Sequence, residues 1–333
     1  MLTAFIRFGD GRLATGSDAV TLTAALRDPG AVFWIDMASP GDDDYAILDD
    51  VFGFHPLAIE DVMQAVQRPK IESYNHTGDT FKHGYFFMVM HGPDLEQFKA
   101  KRVTTSELDL FVSANYLITI HDDVMKPIAD LRSRGTADPR LVLDGGIDML
   151  LYSILDHLID NYMPLLDHFQ DVLEDIEEQA VENPTHELLT QIALRKRDLL
   201  NLRRIIGPQR DVLAQLTRGE VPFIRETTRI YFRDVLDHLN RAVETIELYR
   251  DLIMGSRDIY MSSINNHLNQ IMKTLTIISV IALPLTVITS FFGMNFVDTI
   301  PHFAGYTSFV VGMSLMVLIP STLLYLFWKR KWM

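Results

Sequence analysis

The sequence predicts an α+β membrane protein: an N-terminal α/β domain, an antiparallel helix pair, and a very long helix that runs into the first of two C-terminal spans. Three observations carry this. Residues 274–293 and 306–328 are long uncharged apolar runs, each sufficient to cross a hydrocarbon core of about 30 Å as a helix. Residues 223–283 contain no proline and a single glycine, Gly255. Upstream of residue 145 the apolar residues fall in short β-rich runs, whereas from Ile147 onward their spacing is helical.

In the first 145 residues, "AVFWIDM", "YFFMVMH", "SELDLFVS" and "NYLITIH" read as strands punctuated by Gly, Pro, Asn and Asp, and "HPLAIEDVMQAV" between them reads as a helix. Residues 146–221 form the expected helix pair. Its first member, 147–182, carries ten acidic and no basic residues; Pro164 is expected to kink it and Asn183-Pro184 to end it. The second member, about 186–216, brings "LRKRDLLNLRR" against that acidic face. The third helix is expected over 222–293, with 222–273 outside the membrane and 274–293 as the first span. At 1.5 Å per residue it is about 100 Å long, and such a helix needs lateral partners, most simply its own copies. A loop at 294–305, the second span at 306–328 and a basic tail at 329–333 complete the division.

Charge fixes the orientation. Of 44 acidic and 30 basic residues, only Asp298 and the trio Lys329, Arg330 and Lys331 lie beyond Lys273, which leaves residues 1–273 with a net charge of −16. Lys273 precedes the first span and the basic trio follows the second, while the intervening loop has neither Lys nor Arg. Both termini are therefore expected in the cytoplasm, in a multi-pass protein of the inner (plasma) membrane. The short apolar run of "MLTAFIR" does not make a secretory signal. An acidic body argues against nucleic acid, and the absence of cysteine excludes disulfides, thiolate zinc sites and cysteine nucleophiles. Enzyme motifs are missing as well. "HELLT" has Thr190 where a zinc protease needs its second His, and "GDGRLATG" lacks the glycine spacing of a dinucleotide loop. No organic cofactor is expected.

One face of the long helix reads Asn269, Met272, Leu275, Ser279, Leu283, Thr286 and Ser290, in steps of three or four. It is neither purely apolar nor purely polar, so a helix contact and a pore lining both fit. The span then ends on Gly293-Met294-Asn295.

Together with "GFHPLAIEDVMQAVQRPKIESY", "LLYSILDHLIDNYMPLLDHF", "LRKRDLLNLRRIIGPQRDVL" and the stretch from Tyr231 to Phe296, that tripeptide resembles the CorA-type divalent metal-ion transporters over nearly the whole chain. The resemblance implies a funnel-shaped homopentamer acting as an ion channel for Mg²⁺, with Co²⁺ and Ni²⁺ as passengers. It implies five Asn295 amides at the external mouth, and a pore lined by Asn269, Met272, Leu275, Leu283 and Thr286, with Met272, Leu275 and Leu283 as its apolar constriction. Neutral amide oxygens suit an ion that dehydrates reluctantly, because they accept hydrogen bonds from its water shell and release it readily. It further implies that intracellular Mg²⁺ holds the closed state at acidic positions, for which Asp234 and Asp258 match and Asp94 matches more loosely. Mg²⁺ is thus both transported and regulatory. The external loop "FVDTIPHFAGY" keeps Pro301 but lacks the family's Met-Pro-Glu-Leu glutamate, leaving Asp298 and His302 as its ionisable groups. That departure keeps open a Zn²⁺ transporter on the same fold, proton-coupled in one version. From another class, a non-conducting membrane-tethered sensor or scaffold also remains open.

Overall fold

In the computed structural model the described residues are all except 1, 17, 65–67, 75–83, 95–102, 123–124, 295–305, 331 and 333, together with the side chains at 307 and 308. The chain divides into two compact units, 1–178 with 187–256, and 179–186 with 257–333.

The first unit is built on a seven-stranded sheet of order β2-β1-β3-β7-β6-β5-β4. Its strands are β1 (Leu2–Arg7), β2 (Leu13–Thr15), β3 (Val32–Ala38), β4 (Lys70–Tyr74), β5 (Tyr85–Pro93), β6 (Thr105–Val112) and β7 (Tyr116–His121). Only β3 and β7 pair in parallel among the described strands, with Phe33 opposite Tyr116 and Ala38 opposite His121. The four strands expected from the sequence are the central ones. Their residues are buried on both faces and so form nearly unbroken apolar runs. Strand β1 and the edge strands β2 and β4 add to that expectation, β2 being only three residues long and β4 largely half-exposed.

Alternation sends Phe33, Ile35 and Met37 of β3 to one face, where they pack with Phe87, Phe111 and Ile118 under helices α1 (Ala19–Arg27), α2 (Asp42–Asp50) and α3 (Pro56–Met63). The other face is covered by α4 (Lys126–Ala137), α5 (Arg140–Leu143) and α6 (Ile147–Asp160).

The helix expected over 147–182 is two helices, α6 and α7 (Tyr162–Glu182), broken at Asn161. Proline supplies no N–H and its ring clashes with the carbonyl four residues back. For Pro164 that residue is Asp160, so the break falls upstream of the proline, which then sits in the first turn of α7. Helix α8 (His186–Arg218) follows and contains Pro208. A closed polar triangle ties α7 and α8 to the sheet. The Tyr162 hydroxyl donates to the His91 carbonyl at 2.9 Å, Gln209 Nε2 donates to Tyr162 Oη at 3.1 Å, and the His91 N–H donates to Gln209 Oε1 at 3.1 Å. All three residues are buried, so each polar group finds its partner inside the protein.

Helix α9 (Glu226–Phe292) has 67 residues. It begins four residues later than the sequence expectation because Phe223 adopts a left-handed φ of 69° that no α-helix accommodates. Arg225 caps it by reaching back to α6. Its Nε donates to Asp148 Oδ2 at 2.8 Å, its N–H to the same oxygen at 3.2 Å, and its Nη2 to Asp148 Oδ1 and to the Gly145 carbonyl. From Thr228 to Tyr260 the buried residues are 228, 232, 235, 239, 242, 246, 249, 253, 256 and 260. That unbroken four-three alternation is a heptad seam.

In the second unit, α9 continues to Phe292 and α10 runs from Tyr306 to Lys329. Both are long and apolar enough to cross a membrane.

Candidate ion pathway on the long helix

The C-terminal half of α9 has one covered face and one open face. Ile277, Ile281, Pro284, Leu285, Ile288 and Phe292 are half-buried. On α10 the covered positions are Gly312, Met316, Ile319, Pro320, Leu323 and Phe327. Both sets recur in steps of three or four apart from one adjacent pair each, 284/285 and 319/320, as facing helix stripes do. They meet where the Phe292 ring packs on Gly312, at which a Cβ would lie 3.4 Å from the ring. At about 100° per residue, the stripe Asn269, Met272, Leu275, Ser279, Leu283, Thr286 and Ser290 projects about 180° away from that covered face. All seven are exposed, Leu283 most among its apolar members at 67%.

The threonine hydroxyls in this segment have local acceptors that suit an apolar setting. Thr286 Oγ1 donates to the Ala282 carbonyl at 3.0 Å, and Thr276 and Thr289 do the same to Met272 and Leu285. Pro284 sits on the covered side and removes the hydrogen bond to the Val280 carbonyl without interrupting the stripe.

The helix stops where the tripeptide begins. Gly293 N–H still donates to the Thr289 carbonyl at 2.9 Å, and Met294 N–H donates to Phe291 in a tighter turn. A Cβ at Gly293 would lie 2.9 Å from the Thr289 oxygen, so glycine is what permits this close approach. Met294 is 59% exposed. Asn295, and with it Asp298 and His302, lie outside the described residues.

The acidic candidates are dispersed. Asp94 follows β5, half-buried, with its N–H donating to the Thr104 carbonyl at 3.0 Å; Asp234 and Asp258 are exposed on α9. The described residues contain no group of three or more His, Asp or Glu able to hold a metal, so Asp94, Asp234 and Asp258 do not form a site within one chain. Asp234 does have acidic company. It adds to the field on Asp156, whose carboxyl is pushed up first by burial and then by Asp160, against the lowering influence of His157 and His238.

Two features escape sequence reading. The Asp148–Arg225 clamp joins residues 77 apart and has no local signature. The heptad seam of α9 is written in the residue spacing, but charged residues between its members mask it.

The pattern of the family described as "CorA-like Mg2+ transporter protein" matches residues 29–331. The chain belongs to that family. Membership places it among membrane transporters and not among enzymes. A putative metal ion transporter, YfjQ of Bacillus subtilis, is 35% identical over 302 residues, covering 91% of this chain and 90% of the relative. The cobalt/magnesium transport protein CorA of Thermotoga maritima is 32% identical over 313 residues, covering 92% and 85%. Among solved structures, the complete CorA magnesium transporter from Methanocaldococcus jannaschii superposes with a TM-score of 0.80 at 26% identity, over 99% of this chain and 98% of that one. The full-length CmaX protein superposes at 0.74 with 22% identity, over 99% and 97%, which speaks for the fold alone.

Proposed function

We propose that the chain carries hydrated divalent cations across the cytoplasmic membrane, Mg²⁺ foremost and Co²⁺ and Ni²⁺ with it. It does so as a homopentamer whose five α9 helices turn the stripe from Asn269 to Ser290 toward a common axis. The observation that carries this reading is the open stripe. A segment already partnered by α10 on one side keeps a mixed apolar and hydroxyl face on the other, which lipid does not require and a pore does. Two relatives named for cobalt and magnesium transport support Mg²⁺ and Co²⁺ as cargo. Asn295 amides at the external mouth select for the water shell, and Met272, Leu275 and Leu283 close the pore by dewetting. Both termini lie in the cytoplasm, where the acidic body is held closed by Mg²⁺ bound between subunits through Asp94, Asp234 and Asp258. Such a ligand acts by its differential affinity for the closed state.

The external loop favours one second reading. With His302 where the family carries a glutamate nearby, Zn²⁺ is the alternative cargo.

Flux into proteoliposomes with Mg²⁺- and Zn²⁺-sensitive dyes tests both readings. Mg²⁺ entry that is suppressed by internal Mg²⁺ and abolished by Asn295→Ala is the expected result. Zn²⁺ entry without Mg²⁺ entry supports the second reading, and no flux from a folded oligomer leaves a sensor or scaffold.

A further inference from the structure

Away from the long helix, a cavity of about 480 Å³ opens between the sheet and α8. That is the size of a small-molecule site, which typically runs to about 300–1,000 Å³. Its inner wall carries Asp109 of β6, only 5% exposed. The Asp109 carboxyl makes no hydrogen bond among the described residues, and its Oδ1 is fully buried without a partner. Buried polar groups are nearly always satisfied, so an orphan carboxyl lining a cavity marks the position of an absent donor.

The charges around it say what kind of donor fits. Glu107 on the same strand, Asp61 on α3 and Asp122 beyond β7 all press on Asp109 with negative charge. The opposing cation is Lys70 of β4, which is itself engaged by Asp61 at 2.6 Å and Glu72 at 3.2 Å. His91 of β5 and His121 of β7 also line the cavity, as does Tyr45 of α2. The outer part is different. Arg68 and Arg204 are exposed lining residues, and among the described residues neither has an ion-pair partner. The walls also include the apolar Val62, Ile120 and Ile205. An acidic interior behind arginines is complementary to a ligand bearing opposite charges at its two ends. A bare metal fits poorly, because among the described residues no three ligating side chains converge.

We propose that this cavity binds a small organic zwitterion, with its ammonium nitrogen on the Asp109 carboxyl and its anionic group at Arg68 and Arg204. Because α8 forms one wall through Asn201, Leu202 and Ile205, an occupant would bridge the sheet and the helix.

Binding carries a proton signature. Burial, then Glu107, Asp61 and Asp122, raise the Asp109 pKa in the empty cavity and favour its protonated form there. An arriving ammonium favours the carboxylate, and the proton leaves to solvent. Affinity for the ammonium end therefore rises with pH until the empty cavity's Asp109 ionises by itself.

The test is calorimetric titration of the full chain in nanodiscs with three four-carbon probes: γ-aminobutyrate, butylammonium and butyrate. The expected order is γ-aminobutyrate, then butylammonium, with butyrate not binding, and γ-aminobutyrate releasing up to one proton per ligand in buffers of differing ionisation heat. Asp109→Asn, close to an isostere of the neutral acid, should weaken γ-aminobutyrate by about tenfold or more. Ile205→Trp, which fills the cavity from α8 without touching the carboxyl, should abolish binding. Butyrate binding as well as γ-aminobutyrate, unchanged affinity in Asp109→Asn, or no binding by any probe would overturn the proposal. So would Mg²⁺ binding at Asp109 in the absence of binding by the organic probes.

Discussion

The two halves of α9 invert the usual relation between composition and burial. The charged half, 226–256, buries Phe232, Val235, Leu239, Ala242 and Ile246 almost completely. The apolar half buries nothing in its most hydrophobic stretch. Water decides the first case: every apolar side chain on a solvated helix stands to gain from the seam, and the charged residues keep the remaining faces wet. In the second half there is no water to escape from in a bilayer, so apolarity does not demand burial and what distinguishes one face from another is polarity and shape. A single helix thus reads by opposite rules on either side of Lys273.

The sharpest way to break this contrast is a matched pair of truncations. Phe232→Ala removes a fully buried ring that also meets Tyr152 edge-on at 6.2 Å. It should cost about 3–5 kcal/mol, seen as a fall of several degrees in the apparent Tm of the purified full chain. Leu283→Ala removes as apolar a side chain from the open stripe. It should leave stability within about 0.5 kcal/mol and, under the function proposed above, in which Leu283 helps close the pore, raise ion flux under Mg²⁺ concentrations that close it. Comparable destabilisation from both variants would mean that the stripe is packed and not open.

Asp148→Asn has the next largest effect and tests how α9 is anchored. Burial alone would push this carboxyl up, yet hydrogen bonds from Arg225 and Thr228 outweigh it and hold it below its ordinary value. A depressed carboxyl contributes stability that is complete above the ordinary carboxylate range and disappears as pH falls through its folded pKa. The variant should therefore lose about 1–2 kcal/mol at pH 7, less than a fully buried pair, because the Arg225 side chain is 56% exposed and keeps its water. The deficit relative to the wild type should close as pH falls below about 4. A pH-independent deficit would assign the loss to packing and not to the ion pair.

How much of this was legible before the structure depends on the range of each signal. The central strands, α3, the long helix and both spans announce themselves through periodicity or length, and the tripeptide "GMN" with its flanks carries the family. The break at Asn161 was displaced from the expected kink because proline acts on the turn before it. The edge strand β4 is invisible because "KIESY" is mostly polar, largely half-exposed and does not alternate cleanly. The Asp148–Arg225 clamp and the orphan carboxyl of Asp109 depend on residues far apart in sequence, and no local pattern records them. The roles of Asn269 to Ser290 rest on neighbours that a single chain does not contain.

The smallest effect falls where α6 meets the charged half of α9. Burial first, then Asp160, raise the Asp156 carboxyl, with Asp234 adding to them; His157 and His238 only partly compensate, and His238 is already engaged with Asp160 at 2.9 Å. A group whose folded pKa is raised stabilises the protein below the ordinary carboxylate range and loses that contribution as pH rises through the folded value. At neutral pH Asp156 is therefore a net cost, and Asp156→Asn should raise the apparent Tm by about 1–3 °C, an advantage that vanishes near pH 4. Added Mg²⁺ separates a merely crowded surface from a regulatory one. If Asp234 holds the ion between subunits, Mg²⁺ stabilises the wild type and Asp156→Asn alike and fails with Asp234→Asn. If Mg²⁺ instead stabilises Asp234→Asn as well as the wild type, this end of α9 is excluded from the gate.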